Sequence, residues 1–130
     1  MKAEDLMIGD WVKCTDPKCE GHQVDLIDLA NEEVGLDGKI DNFENIIPIP
    51  LTTDILEKNG FEVSSEHARY YFKEEDEKYE FVLRKMYYIN NPKVQKGWAF
   101  YAFNVLTLVD YVHELQHALK LCRIEKEIIL

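Results

Sequence analysis

The sequence predicts an α+β protein: a small SH3-like or curled antiparallel β module followed by an antiparallel three-stranded sheet with two helices. Three patterns predict it. Residues 1–50 hold short apolar runs cut by turn chemistry, residues 68–104 are dominated by aromatic and β-branched positions, and residues 108–122 repeat apolar groups at three- and four-residue spacing. The period changes after Pro50, so an acidic barrel-like module over 1–50 and an α+β module over 51–130 are expected.

In the first module the strands read as Leu6 to Lys13 around Gly9-Asp10, Gln23 to Ala30, Glu33 to Leu36 before Asp37-Gly38, and Asn45 to Ile49. Pro48 and Pro50 cannot donate to a ladder, which makes Ile46 to Leu51 an edge or exit strand. Thr52 and Thr53 then supply capping hydroxyls, Asp54 and Glu57 sit in a helix start, and Asn59-Gly60 supplies a left-handed stop with Phe61 folding back over Ile55 and Leu56. Ala68 to Lys73, Tyr79 to Ile89 and Gly97 to Asn104 read as the three strands, joined by the acidic tract Glu74 to Glu77 and by Asn90-Asn91-Pro92. Alternation places Tyr79, Phe81, Leu83, Tyr87 and Ile89 on one face and Val82, Met86 and Tyr88 on the other, one face packing under helices. The closing helix starts near Thr107 or Asp110 and carries Leu108, Tyr111, Val112, Leu115, Ala118, Leu119 and Cys122 as one stripe, with Arg123 at its C-terminal end. Glu125 to Leu130 closes as a brief strand or frays.

Composition bounds the function. With 130 residues and 46% hydrophobic content the chain can bury the core of one ordinary domain or two small modules, which argues against disorder. Its 25 acids against 15 Lys and Arg give a formal charge of −10, which repels a phosphate backbone. The acidity is uneven: residues 1–50 hold 12 acids and 4 bases, residues 51–130 hold 13 and 11. The N-terminus lacks the apolar run and basic start of an export signal, and nothing approaches the about 18 apolar residues of a membrane span, so a cytoplasmic protein is expected. Three cysteines, an odd number, fit reduced thiols better than a disulfide framework.

The one formal catalytic motif is His113-Glu114-Leu115-Gln116-His117, an HExxH, in which two histidines one turn apart hold zinc and the glutamate acts as general base on bound water. Geometry on the helix argues against it. With Leu115 at zero and about 100° per residue, the stripe from Leu108 to Cys122 lies within about 60°, and His113 and His117 lie about 160° away, beside Asp110 and Lys120. The expectation is therefore two solvated histidines framing a glutamate, with no catalytic residue, metal or cofactor. A third zinc ligand would have to come from Glu125 or Glu127, close to the end of the sequence.

A second cluster, Cys14, Cys19 and His22, has C-x4-C and C-x2-H spacing but no fourth ligand nearby, so an exposed loop with reducible thiols is expected. No GxSxG elbow accompanies Ser64, Ser65, Glu66 and His67, and the six glycines are scattered rather than forming a phosphate loop. Tyr70, Tyr71, Tyr87, Tyr88, Trp98, Phe100, Tyr101 and Phe103, with Arg69, Arg84 and Lys85, would make a base-stacking face, but a near-neutral half-chain lacks the basic groove that single strands need.

Ile47-Pro48-Ile49-Pro50-Leu51-Thr52 leading into Ile55 to Phe61, the IGDWV start, and Tyr111-Val112-His113-Glu114-Leu115-Gln116-His117 together resemble a family of small proteins of gut Bacteroidetes and their phages or prophages. The likeness runs loosely over the whole chain. It implies no activity, cofactor or site residue; members commonly read YVHQLQN at the last motif, which implies that the glutamate and second histidine are incidental. The mobile-element setting favours an accessory role, such as binding a host or phage protein. The expectation is thus a non-enzymatic protein-binding module with an unidentified protein partner, the alternatives being a small zinc-dependent hydrolase using the HExxH and a single-strand nucleic-acid binder.

Overall fold

The structure, a computed structural model, describes residues 2–16, 19–64, 69–72, 81–88, 90–102 and 105–130. The chain is α+β, with two antiparallel sheets and two helices. It forms two compact units: Met1–Pro50 with Tyr111–His117, and Leu51–Asp110 with Ala118–Leu130. The connection Glu74 to Glu77, with Tyr79, Ile89, Phe103, Asn104 and the Ser65 to His67 loop, lies outside the described residues.

Unit 1 is a five-stranded sheet in the order β4-β3-β2-β1-β5, built from β1 (Trp11–Cys14), β2 (His22–Asp28), β3 (Glu33–Leu36), β4 (Lys39–Asn42) and β5 (Ile46–Pro48). Its core gathers Leu6, Val12, Val24, Val34, Leu36, Phe43 and Ile46, with Ile27 packed against them. Phe43 comes from a 3-10 turn over Phe43–Asn45 that carries the chain from β4 to β5. Among the described residues the strand β5 pairs only with β1, Val12 opposite Pro48, so its one proline sits on an edge as a missing N–H requires. The strand β4 was not among the expected ones. Its sequence KIDN has one apolar residue, Ile40, which is 65% exposed, so no burial alternation marks it. What makes it a strand is the turn: Asp37 and Gly38 both take positive φ, 51° and 86°, as a two-residue hairpin of matching twist demands, and this pairs Leu36 with Lys39. At the centre of the sheet the β2–β3 register slips between Val24 and Leu26. Gly35 fits there because a Cβ would meet the Leu26 Cβ at 2.8 Å and the Asp25 carboxylate.

Unit 2 begins with α1 (Thr53–Lys58), whose N-cap Thr52 Oγ1 accepts from the Ile55 amide at 3.3 Å. Its end is a Schellman motif: Gly60 takes φ 83°, its amide donates to Glu57 O, and the Phe61 amide reaches back to Leu56 O at 3.0 Å, with Phe61 and Leu56 both buried. A meander follows, in the order β10-β9-β8-β7-β6, from β6 (Glu62–Ser64), β7 (Arg69–Phe72), β8 (Phe81–Tyr88), β9 (Asn91–Ala102) and β10 (Val105–Val109). Five strands replace the expected three. Leu108, expected on the helical stripe, belongs to β10 because Val105, Thr107 and Val109 are β-branched and alternate with Leu106 and Leu108; Val109 is buried and the two leucines are 59% exposed. One face of the sheet carries the buried Leu83, Trp98, Phe100, Ala102 and Val109, and the Trp98 indole donates to Leu51 O at 2.9 Å.

The helix α2 spans Val112–Leu121. It closes with a second Schellman motif, Arg123 at φ 57° and the Ile124 amide donating to Leu119 O at 2.9 Å. The tail beyond is neither strand nor frayed. Asn59, itself buried, donates to Ile55 O and Ile129 O and accepts from the Ile129 amide at 2.8 Å, fixing the tail while Ile124 and Ile128 are buried. Among the described residues no helix is long and apolar enough to cross a membrane.

Candidate functional site

The site lies in unit 1, where the turn before β1 meets the first turns of α2. Met7 to Asp10 form a β-turn, Asp10 N donating to Met7 O at 3.1 Å, with Gly9 at φ 92° in the position that rejects a side chain. The turn is tied to β2 by Gly9 N to Val24 O and Val24 N to Asp10 O. Asp10 thereby points inward: it is 0% exposed, and its Oδ2 accepts from the Met7 amide at 2.8 Å.

Three residues of α2 close on this turn. His117 Nε2 lies 2.9 Å from Asp10 Oδ1 and 2.7 Å from Oδ2. Gln116 Oε1 accepts from the Trp11 amide at 2.9 Å, and its Nε2 donates to Gly9 O at 2.9 Å. The His113 ring meets the His117 ring edge-on at 5.6 Å and stacks with Tyr111 at 5.9 Å. The expectation of two solvated histidines is overturned: His113 is 6% exposed and His117 is half-buried. The wheel does not foresee that Gln116 and His117 find partners in the 9–11 segment and that the His113 ring packs against Tyr111 and His117.

Glu114 works at the helix start. Its Oε1 accepts from the Tyr111 amide at 3.1 Å, the reach of an N3 glutamate back to the N-cap in half of a capping box. The HExxH residues therefore have other tasks: His117 grips Asp10 and Glu114 caps the helix. Among the described residues no group of three or more His, Cys, Asp or Glu is placed to hold a metal ion. A cleft of about 440 Å³ opens beside them, lined by Glu4, Asp5, Pro48, Tyr111, His113, Glu114 and His117. Burial pushes the His113 pKa below its ordinary value, the neighbouring His117 adding to that and Asp10, Glu114 and Asp5 opposing it. Its Nδ1 is buried with no hydrogen-bond partner among the described residues.

Cys14 and Cys19 form a disulfide across a Cα separation of 5.7 Å, which corrects the expectation of reduced loop thiols. Cys19 N donates to Asp16 O at 2.9 Å, and the pairing of the two side chains is a geometry the spacing alone does not reveal. His22, the third candidate, pairs instead with Asp37, Nδ1 to Oδ2 at 2.7 Å. Cys122 is a free thiol whose pKa burial raises. Of the aromatic residues weighed as a stacking face, Trp98 and Phe100 are core, Tyr101 is exposed, and the side chains of Tyr70, Tyr71, Tyr87 and Tyr88, with Phe103, lie outside the described residues.

Asp10, Gln116 and Tyr111 were missed as site residues. A signal existed in the polar residues 113, 116 and 117, which form their own i, i+3, i+4 stripe with hydrogen-bonding capacity out of proportion to a solvated face. No known family model, curated protein or solved structure matches the chain.

Proposed function

We propose that this chain is a non-enzymatic protein-binding module, an accessory factor of a phage or mobile element, whose partner is basic. One observation carries the reading. Among the described residues of unit 1, Glu4, Asp5, Asp16, Glu20, Asp25, Glu32, Asp37 and Glu44 are exposed, whereas Lys2 and Lys39 are its only exposed bases. A surface of that sign steers a basic partner in and turns phosphate backbones away. The strand order, with the 3-10 turn ahead of β5, supports an SH3-like reading of the module.

The test is capture from a host lysate on immobilised chain at low ionic strength, followed by elution with salt. Retained proteins should be basic and released as salt rises, and Glu20→Lys with Glu44→Lys should reduce their capture. A bait that stays empty at low salt, or one whose captured proteins ignore salt, would defeat the reading.

A further inference from the structure

We propose that the free edge of β10 is a self-association surface, on which β10 of a second copy of this chain pairs antiparallel about a two-fold axis through Thr107. The proposal goes beyond the basic-partner reading and does not depend on it.

The first observation is a contrast among sheet edges. Among the described residues the edge strands are β4, β5, β6 and β10. An edge offers unpaired amides and carbonyls to any passing strand, and proteins guard it with charges, prolines, bulges or short length. Three of these edges are guarded. The strand β4 carries Lys39 and Asp41, β5 is three residues long and ends in Pro48, and β6 is three residues long and begins with the exposed Glu62. The strand β10 has no such device: Val105-Leu106-Thr107-Leu108-Val109 holds no charge, proline or glycine. Its register with β9 runs without a bulge from Val105 opposite Ala102 to Val109 opposite Trp98.

The second observation names the occupant. The sequence of β10 reads the same from either end. Antiparallel pairing reverses one partner, so a palindromic strand meets its own copy with matched residues at every position. With Thr107 opposite its counterpart, Leu106 falls opposite Leu108 twice and Val105 opposite Val109 twice, which is the self-complementarity a two-fold interface requires. Leu106 and Leu108 share one face and are each 59% exposed, and Tyr101, opposite Leu106 on β9, is 40% exposed. The pairing sets four leucines side by side, flanked by a tyrosine from each chain, as apolar cross-strand neighbours.

Area and charge set the strength. Two five-residue strands of about 17 Å cover on the order of 700 Å² in total, short of the about 1,200 Å² at which stable interfaces begin, so the dimer is weak, with a Kd of roughly 10–100 µM. A basic strand finds no carboxylate in β10 and an acidic one finds no cation, whereas a second copy brings a neutral apolar edge to a neutral apolar edge. Each chain as a whole has a formal charge of −10, so salt screens the mutual repulsion and tightens the pairing, the opposite of its effect on a basic partner. Pairing uses up the unguarded edge of both copies, and assembly stops at two.

The experiment is sedimentation of the full chain. It should pass from monomer to dimer as concentration rises from about 2 to 500 µM, with a Kd that falls roughly threefold between low salt and about 0.5 M. Leu106→Lys and Leu108→Glu, both at exposed positions, should each weaken self-association by about tenfold. Mixed in equal amounts, the two variants should pair again, because the register about Thr107 sets the introduced ammonium opposite the introduced carboxylate. Ile40→Lys, on the guarded edge β4, should leave the Kd unchanged. Amide exchange in β10 of the unaltered chain should slow with rising concentration, a readout that needs no variant. A chain still monomeric at about 500 µM, growth beyond two copies, a dimer undiminished by Leu106→Lys, or variants that do not pair when mixed would overturn the proposal.

Discussion

Asp10 and His117, 107 positions apart in the chain, meet with Nε2 within 2.9 Å of both carboxylate oxygens, and the carboxylate is wholly removed from solvent. The same carboxylate also accepts the Met7 amide, so one side chain joins a tight turn to a helix face.

Replacing it should therefore be costly. Asp10→Ala removes acceptors from the Met7 amide and from His117 and leaves both facing a void, a loss of about 3 kcal/mol, or roughly 10 °C in Tm. Asp10→Asn keeps one acceptor oxygen and should cost less. Thermal unfolding of the two variants side by side checks this; an Asp10→Ala protein as stable as wild type would mean that the contact contributes nothing.

His113 gives the fold a pH dependence whose sign follows from its lowered pKa. The unfolded chain protonates this histidine near the ordinary value of about 6.5, while the fold resists the proton. Its contribution is complete above that value and is lost as pH falls through the lower, folded one. Asp10, Glu114 and Asp5 face it and soften the effect, and His117 sharpens it. Denaturant unfolding between pH 7.5 and 5 should show wild type losing more stability than His113→Leu. Parallel curves would remove His113 from the account.

Arg123 occupies the left-handed position that ends α2, φ 57°, where a side chain is strained by about 1 kcal/mol. Arg123→Gly should thus stabilise the protein by about 0.5–1 kcal/mol despite deleting a cation from the helix terminus, whose favourable effect is about 0.3–1 kcal/mol and screened by salt. High salt, which removes the second effect, should enlarge the gain. A destabilised variant in high salt would contradict this.

Asn59 holds the C-terminal tail by a two-way amide contact with Ile129. Asn59→Ala should cost about 2–3 kcal/mol, since the Ile129 amide and carbonyl and the Ile55 carbonyl all lose a buried partner. Hydrogen exchange at the Ile129 amide reports it directly: in the variant that amide should exchange far faster than the amides of β9. Unchanged protection would show that Ile124 and Ile128 hold the tail without the amide.

Much of this architecture is local and was readable. Thr52, Gly60 and Phe61 dictate α1 and its ends, because a cap needs only neighbours in sequence. The spacing of Val112, Leu115 and Leu119 marks a helix wherever it is placed, since 3.6 residues per turn is a property of the backbone. Where two local signals competed, sequence was a poor judge. Leu108 fits both the helical stripe and a strand alternation, and only its place opposite Ala99 in the β9–β10 ladder decides for the strand. Ile40 shows nothing of β4, which exists because Asp37-Gly38 turns the chain back beside β3.

By itself, the sequence determined that the chain is acidic, that it folds as α+β, and that His113 and His117 share the side of α2 opposite its apolar stripe. Only the tertiary structure decided that this second side is covered. Periodicity reports which residues point the same way, not what comes to meet them, and the partners here, Gly9, Asp10 and Trp11, arrive from the other end of the chain. Their arrival turns a pair of histidines that looked solvated into one buried ring with an unmet nitrogen and one ring gripped by a carboxylate.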